Sequence, residues 1–176
     1  MTVRKVITSL AALGLILAMC PATAFADTTG GGDPPAAGSK GGMTIEVVSV
    51  RLIAKVVVEV EVSVVCQPKP PSEDPIRSSW ENTSIGLWAK QASGRRIAFG
   101  TTYSYFDGDA ICDGTKHTMK VAAAADSSGV PFKLGTAAIA VAGDASYYWE
   151  NLNECCSQWW VAASASTGWM SARLGK

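Results

Sequence analysis

The segment KVVVEVEVSVVC, residues 55 to 66, alternates between apolar and polar positions over most of its length. One face of this pattern carries β-branched residues and a final cysteine, namely Val56, Val58, Val60, Val62, Val64 and Cys66. The other face carries Glu59, Glu61 and Ser63, which are suited to contact with water. Because successive side chains of a strand point to opposite faces, the alternation predicts an antiparallel β-strand with one buried face.

Further strand-like segments lie on both sides of this one and are separated by residues that favour turns. We predict strands at 43–53, 83–89, 96–105, 117–123 and 136–142, and the last strand material within 158–174. The proline-rich segment 67–75 is a connection, since proline cannot donate to a sheet ladder, and turns are predicted at 91–94 and 112–115. About seven strands with regular turns predict a disulfide-stabilised, all-β, immunoglobulin-like sandwich of two antiparallel sheets.

The first 26 residues have the composition of a cleavable export signal. Arg4 and Lys5 precede an apolar run at 6–19, and Ala24-Phe25-Ala26 offers a small-residue cleavage site. The run is shorter than the roughly 20 residues that a membrane-spanning helix needs. We therefore predict a secreted protein, extracellular or associated with the cell wall, with no membrane span after cleavage. Cys20 leaves lipidation as an alternative, although Met19 stands where a lipoprotein signal has a small residue.

Charge and composition divide the rest of the chain into a linker and one domain. Residues 27–42 are rich in glycine and proline without apolar periodicity, which predicts a flexible linker, and 43–176 has the size of a single domain. Removing Arg4 and Lys5 with the signal leaves 13 basic against 15 acidic residues, a balance of −2. Because a near-neutral chain has no general attraction to polyanions, we predict no nucleic-acid partner.

Four cysteines remain after the signal, namely Cys66, Cys112, Cys155 and Cys156. In an oxidising compartment they predict disulfides, for which three pairings exist. We favour Cys66–Cys112, which either ties the two sheets together or pins a strand to its neighbour, and leaves Cys155 and Cys156 paired with each other or free. His117 is the only histidine and there is no C-x-x-C pair, so neither a metal nor a cofactor is predicted.

Several short motifs resemble a group of small secreted immunoglobulin-like β-sandwich proteins of unknown function from actinobacteria. They are the valine-rich strand ending at Cys66, Gly94-Arg-Arg-Ile-Ala98, Cys112-Asp-Gly-Thr-x-His117 and Pro131-Phe-Lys-Leu-Gly135. The resemblance spans most of the domain and implies a fold and a compartment, without catalytic residues. The chain departs from the pattern in its C-terminal aromatic residues and in the adjacent pair Cys155-Cys156.

Three groups of polar residues invite a catalytic or metal-binding interpretation. His117 is the only candidate general base, but it shares its predicted face with Met119 and Val121, and no Gly-x-Ser-x-Gly elbow accompanies it. Asp107, Asp109 and Asp113 could ligate calcium, but their spacing differs from the calcium loop and Asp-Gly turns explain it. Glu59 and Glu61 share a solvated face, which is unlike the apposed carboxylates of a glycosidase. We therefore predict no catalytic residue and no enzyme.

Aromatic residues are concentrated in the C-terminal third, namely Tyr147, Tyr148, Trp149, Trp159, Trp160 and Trp169. They either fill the core beneath a loop or form an exposed binding surface. The first hypothesis is a non-enzymatic binding or structural domain whose loop 147–160 contacts a protein or a cell-wall glycan. The second is a carbohydrate-binding module that stacks these rings on sugars. The third, a small hydrolase dependent on His117, is not expected.

Overall fold

A computed structural model describes residues 33–54, 56–68, 76–127, 129–151 and 157–176. Within them, the larger sheet contains β1 (Gly38–Lys40), β4 (Ile76–Ser93), β5 (Arg96–Phe106), β7 (Gly135–Asn151), β8 (Ser157–Ser166) and β9 (Met170–Leu174). The smaller sheet contains β2 (Thr44–Ile53), β3 (Val57–Val65) and β6 (Lys116–Ala124). A single short helix, α1 (Gly108–Ile111), lies between β5 and β6 in the described part of the chain.

The two antiparallel sheets confirm the predicted β-sandwich. Strands in the larger sheet follow the order β1-β8-β7-β4-β5, with β9 beside the first half of β7, and the smaller sheet follows β2-β3-β6. The described residues form nine strands rather than about seven. One reason is that the segment predicted at 158–174 is divided by Gly168, whose φ of 59° is a conformation that glycine adopts without strain.

The buried row predicted for β3 forms the centre of the core. Val58, Val60, Val62 and Val64 are at most 1% exposed and belong to one apolar cluster with Ile85, Leu87, Ile139 and Val141 of the larger sheet. Two positions differ from the prediction. Val56 lies in the turn before β3 and is 44% exposed, whereas Ser63, predicted to face water, is buried. Alternation therefore identifies the face of a strand but not the point at which the strand begins.

The predicted disulfide between Cys66 and Cys112 is confirmed, with 4.4 Å between the two Cα atoms. Cys66 follows β3 and Cys112 precedes β6, and these strands are direct neighbours, with Val65 opposite Lys116. The Gly114 amide also donates to the Cys66 carbonyl at 2.9 Å. The disulfide thus pins two strands of the smaller sheet to each other rather than joining the sheets. Cys155 and Cys156 lie outside the described residues.

The domain begins before Met43, so the predicted linker boundary at residue 42 is wrong. Strand β1 lies within the glycine- and proline-rich segment and pairs with β8, where Gly38 is opposite Ser166. The Ser166 hydroxyl also donates to the Pro35 carbonyl at 2.9 Å. Composition suggested a flexible segment because β1 has no apolar face, but backbone hydrogen bonds to an open sheet edge do not require one. The signal segment 1–26 and residues 27–32 lie outside the described residues.

Strands β4 and β7 are longer than the sequence predicts. The segments 83–89 and 136–142 are only the middle and the beginning of strands of 18 and 17 residues. The turn predicted at 91–94 is confined to Gly94 and Arg95, because Gln91 belongs to β4 and is buried. The Gln91 amide donates to the carbonyls of Lys133 and Thr136 and accepts from the Lys133 amide, which fixes the start of β7.

Candidate functional site

The outer face of the larger sheet combines aromatic rings with very small residues. Along β4, Ile85, Leu87 and Ala89 face the core, so the alternate positions Gly86 and Trp88 lie on the outer face. The strand register places Gly86 between Tyr103 of β5 and Ala142 of β7, and Ala142 is opposite Ser166 of β8. One cross-strand row therefore begins at the ring of Tyr103, crosses the small residues Gly86 and Ala142, and ends at the hydroxyl of Ser166.

Gly86 allows the rings of Trp88 and Tyr103 to meet above the sheet. The ring centroids are 5.4 Å apart at an interplanar angle of 82°, an edge-to-face arrangement that is favourable for aromatic pairs. A Cβ atom at position 86 would lie 2.5 Å from Cη2 of Trp88 and 3.0 Å from Cε1 of Tyr103. Trp88 is only 3% exposed, whereas Tyr103 is 55% exposed. Trp88 is thus the buried support for a tyrosine ring that faces solvent.

A groove of about 480 Å³ lies beside these rings, and we call it the N-terminal groove. Trp88 and Tyr103 line one side, and segment 33–40, which includes β1, lines the other. Between them lie the small residues Ala142 and Gly143 and the polar residues Asp144, Ser164 and Ser166. The Ser84 hydroxyl donates to Oδ1 of Asp144 at 2.8 Å and orients this carboxylate. A concave surface with a flat ring and several hydrogen-bonding groups suits a ligand that has both apolar and hydroxyl-bearing faces.

The aromatic residues predicted as a loop surface lie in strands instead. Tyr147, Tyr148 and Trp149 belong to β7, and Trp159 and Trp160 belong to β8. Tyr147 is opposite Trp160, and Tyr148 is opposite Trp159. Tyrosine and tryptophan are favoured in strands, which explains why this segment continues the sheet. The side chains of these five residues lie outside the described part of the structure, as does segment 152–156.

Asp113, Thr115 and His117 form a small hydrogen-bonded cluster at the start of β6. Oδ1 of Asp113 is 2.9 Å from Nε2 of His117, and the Thr115 hydroxyl is 3.1 Å from the same nitrogen. The hydrogen bonds from His117, the Thr115 amide and the Thr115 hydroxyl lower the pKa of Asp113 to about 2. A catalytic triad places the acid and the nucleophile on opposite ring nitrogens. This cluster uses one nitrogen for both contacts, which is the geometry of a local turn.

Two of the acidic residues considered for calcium, Asp107 and Asp113, have separate local partners. Asp107 caps α1 by accepting from the Asp109 amide at 3.0 Å, and Asp113 takes part in the cluster with His117. Within the described residues, no group of three or more potential ligands could hold a metal ion. Glu59 and Glu61 accept from Arg51 and Ser49 on the outer face of the smaller sheet. The carboxylates of Asp107 and Asp113 therefore have roles in local turns, and those of Glu59 and Glu61 in cross-strand pairs.

Sequence reasoning did not identify the N-terminal groove. Tyr103, Asp144 and Ser166 are far apart in the chain and come together only through the register of β5, β7 and β8. One signal was present, because Gly86 interrupts the apolar run from Ile85 to Ala89. Glycine inside a strand often marks a close approach of another group, and here that group is Trp88.

Comparison of the chain with family models, curated proteins and solved structures finds no match. Among the described residues, no helix is both long and apolar enough to span a membrane.

Proposed function

We propose that this protein is a secreted, non-enzymatic binding domain, and that it holds a carbohydrate in the N-terminal groove. The proposal rests on the exposed Tyr103 ring, which stands beside Asp144, Ser164 and Ser166 in a concave site. An aromatic ring stacks on the apolar C–H face of a sugar, while the Ser164 hydroxyl and the Asp144 carboxylate bond its hydroxyl groups. The Ser166 hydroxyl already donates to the Pro35 carbonyl and so holds the wall of the groove. Buried Trp88 holds the Tyr103 ring in place, so that little side-chain freedom is lost when a ligand binds.

Two observations support an extracellular setting for this domain. The first 26 residues have the pattern of an export signal, and the Cys66–Cys112 disulfide is of the kind that persists in oxidising compartments. We also infer that the sandwich is immunoglobulin-like. Without β1 and β9, the order β2-β3-β6 facing β8-β7-β4-β5 corresponds to strands A-B-E facing G-F-C-C′. The similarity to secreted actinobacterial β-sandwich proteins is part of the same proposal.

The proposal is tested by titrating the protein with soluble laminarin, xylan, hydroxyethylcellulose and glycol chitin. At least one should bind saturably, and Tyr103→Ala should weaken that binding about tenfold, which corresponds to ~1.4 kcal/mol. Tyr105→Ala is the matched control, because Tyr105 is on the same face of the same strand and is 73% exposed but does not line the groove. The proposal fails if no polysaccharide binds or if the two variants bind equally.

The strand ends of β7 and β8 offer a second candidate surface for the same kind of ligand. The register places Trp80, Tyr147 and Trp160 in one cross-strand row, and Trp149 lies two positions along β7. A row of aromatic positions is a favourable composition for contact with sugars or with a protein. If Trp159→Ala or Trp160→Ala abolishes glycan binding while Tyr103→Ala does not, the binding site belongs to these strand ends.

A further inference from the structure

A second groove lies on the outer face of the larger sheet, beside the hairpin that joins β4 and β5. This hairpin groove has a volume of about 460 Å³ and is lined by Lys90, Ile97, Ala138 and Trp169, among others. The amino group of Lys90 is 3.9 Å from the centroid of the Trp169 ring, within the range of a cation–π interaction. Ile97 is 65% exposed, so apolar surface remains open to solvent at this site.

Apolar side chains connect the hairpin groove to the N-terminal groove. Trp88, which lines the N-terminal groove, forms a cluster with Ala140 and Ala142. Phe99 and Trp169 pack against this cluster, and Trp169 lines the hairpin groove. Lys90 is one outer-face position beyond Trp88 on β4, so the grooves follow each other along the same strand. The outer face thus carries two concave sites joined by a shared aromatic band.

We propose that the ligand is a linear polysaccharide that occupies both grooves. This inference rests on the function proposed above and specifies the form of the ligand. From Ser84 to Ala92, β4 rises by about 26 Å at ~3.3 Å per residue, which is the scale of several linked sugar rings. A single sugar or a disaccharide fills only one groove. A longer chain adds contacts with Ile97 and Trp169, while the entropy of overall rotation and translation is lost only once on binding.

The position of the grooves also favours a polysaccharide over an extended peptide. Peptides commonly bind β-domains by adding a strand to an open sheet edge. Both grooves lie over β4 and β7, each of which is paired with strands on both sides. The backbone groups of these central strands are already used in the sheet ladder, so a ligand there must be recognised by side chains. Flat rings and hydroxyls provide that recognition for a carbohydrate.

The test compares a disaccharide with a hexasaccharide from each of the four polysaccharides. With the unmodified protein, we expect the hexasaccharide to bind at least about tenfold more tightly. Ile97→Ser should remove most of this gain and leave disaccharide binding unchanged, because Ile97 lines the hairpin groove alone. Trp169→Ala should have the same effect, but Ile97→Ser is the decisive variant since Trp169 also packs against Trp88.

The outcomes separate this inference from the function on which it rests. The two-groove proposal is overturned if the disaccharide and the hexasaccharide bind with equal affinity. It is also overturned if the Ile97→Ser variant binds both oligosaccharides like the unmodified protein. In either case the N-terminal groove keeps its proposed role. Failure of Tyr103→Ala to weaken either oligosaccharide overturns the proposed function itself. A hexasaccharide preference that depends on both Tyr103 and Ile97 supports both proposals.

Discussion

The two outward faces of the sandwich differ in kind. On the smaller sheet, charged and polar residues pair across strands: Arg51 donates to Glu59 at 2.6 Å and Ser49 to Glu61 at 3.0 Å. On the larger sheet, the central strands carry Gly86, Ala140 and Ala142 next to aromatic rings. Long charged side chains cover a sheet and satisfy one another, whereas small residues beside rings leave grooves. Among the described residues, the N-terminal groove lies on the face of the larger sheet, which therefore has the shape of a contact surface.

Removal of the disulfide should give the largest loss of stability and should act on the smaller sheet. For the double variant Cys66→Ala and Cys112→Ala, the sequence separation of 46 predicts a loss of about 4 kcal/mol in the free energy of unfolding. Urea denaturation measures the loss. Because the disulfide links β3 to β6, the folded variant should retain polysaccharide binding on the opposite sheet. Loss of binding in the folded variant would mean that the two faces are coupled.

Gly86→Ala should affect both stability and binding, because it acts on the larger sheet. The added Cβ overlaps Trp88 and Tyr103, and overpacking of this kind costs about 1–3 kcal/mol. We expect this loss in urea denaturation together with weaker glycan binding. Gly175→Ala is the matched control, since no atom lies within 4 Å of its added Cβ and the residue lines neither groove, and it should leave stability and binding nearly unchanged. Equal behaviour of the two variants would contradict the role given to Gly86.

Arg51→Ala should have a small effect, because it changes the charged face. The side chain of Arg51 is 50% exposed, and exposed ion pairs contribute about 0–1 kcal/mol. We expect a loss within this range that shrinks at high salt and no change in polysaccharide binding. Thermal denaturation at two salt concentrations measures the change in stability, and a titration with the polysaccharide measures binding. Weaker glycan binding by this variant would show that the smaller sheet also contacts the ligand.

Asp113→Asn should give the smallest effect, which is identified by a changed dependence of stability on pH in acid. A carboxyl whose pKa is lowered from 3.8 to about 2 in the folded protein stabilises the fold above pH 3.8 and loses that contribution as the pH falls towards 2. The asparagine variant should therefore show a weaker loss of stability between pH 4 and pH 2. Denaturation at several pH values measures how steeply the free energy of unfolding changes with pH. Identical slopes for the variant and the unmodified protein would contradict the lowered pKa of Asp113.

The sequence predicts the core better than the surface, for a physical reason. The valine row of β3 and the Cys66–Cys112 pair are confirmed because burial and cross-linking leave local patterns in the chain. The starts of strands were less accurate, as exposed Val56 shows, because turn geometry depends on the neighbouring strands. The N-terminal groove left almost no local pattern in the sequence. Tyr103 and Asp144 reach the same site only because β4 pairs with β5 on one side and with β7 on the other.

Strand β1 also has a consequence for the order in which the domain assembles. Lys40 pairs with Ser164, which lies more than 120 positions later in the chain. The backbone of β1 can therefore form its sheet hydrogen bonds only after β8 is in place. Closing so large a loop is slow relative to forming the adjacent hairpins. We therefore expect segment 33–40 to dock last, on a sandwich that is already folded. The wall of the N-terminal groove is then the final piece of the domain to be placed, and amide hydrogens in β1 should exchange with solvent sooner than those in β3.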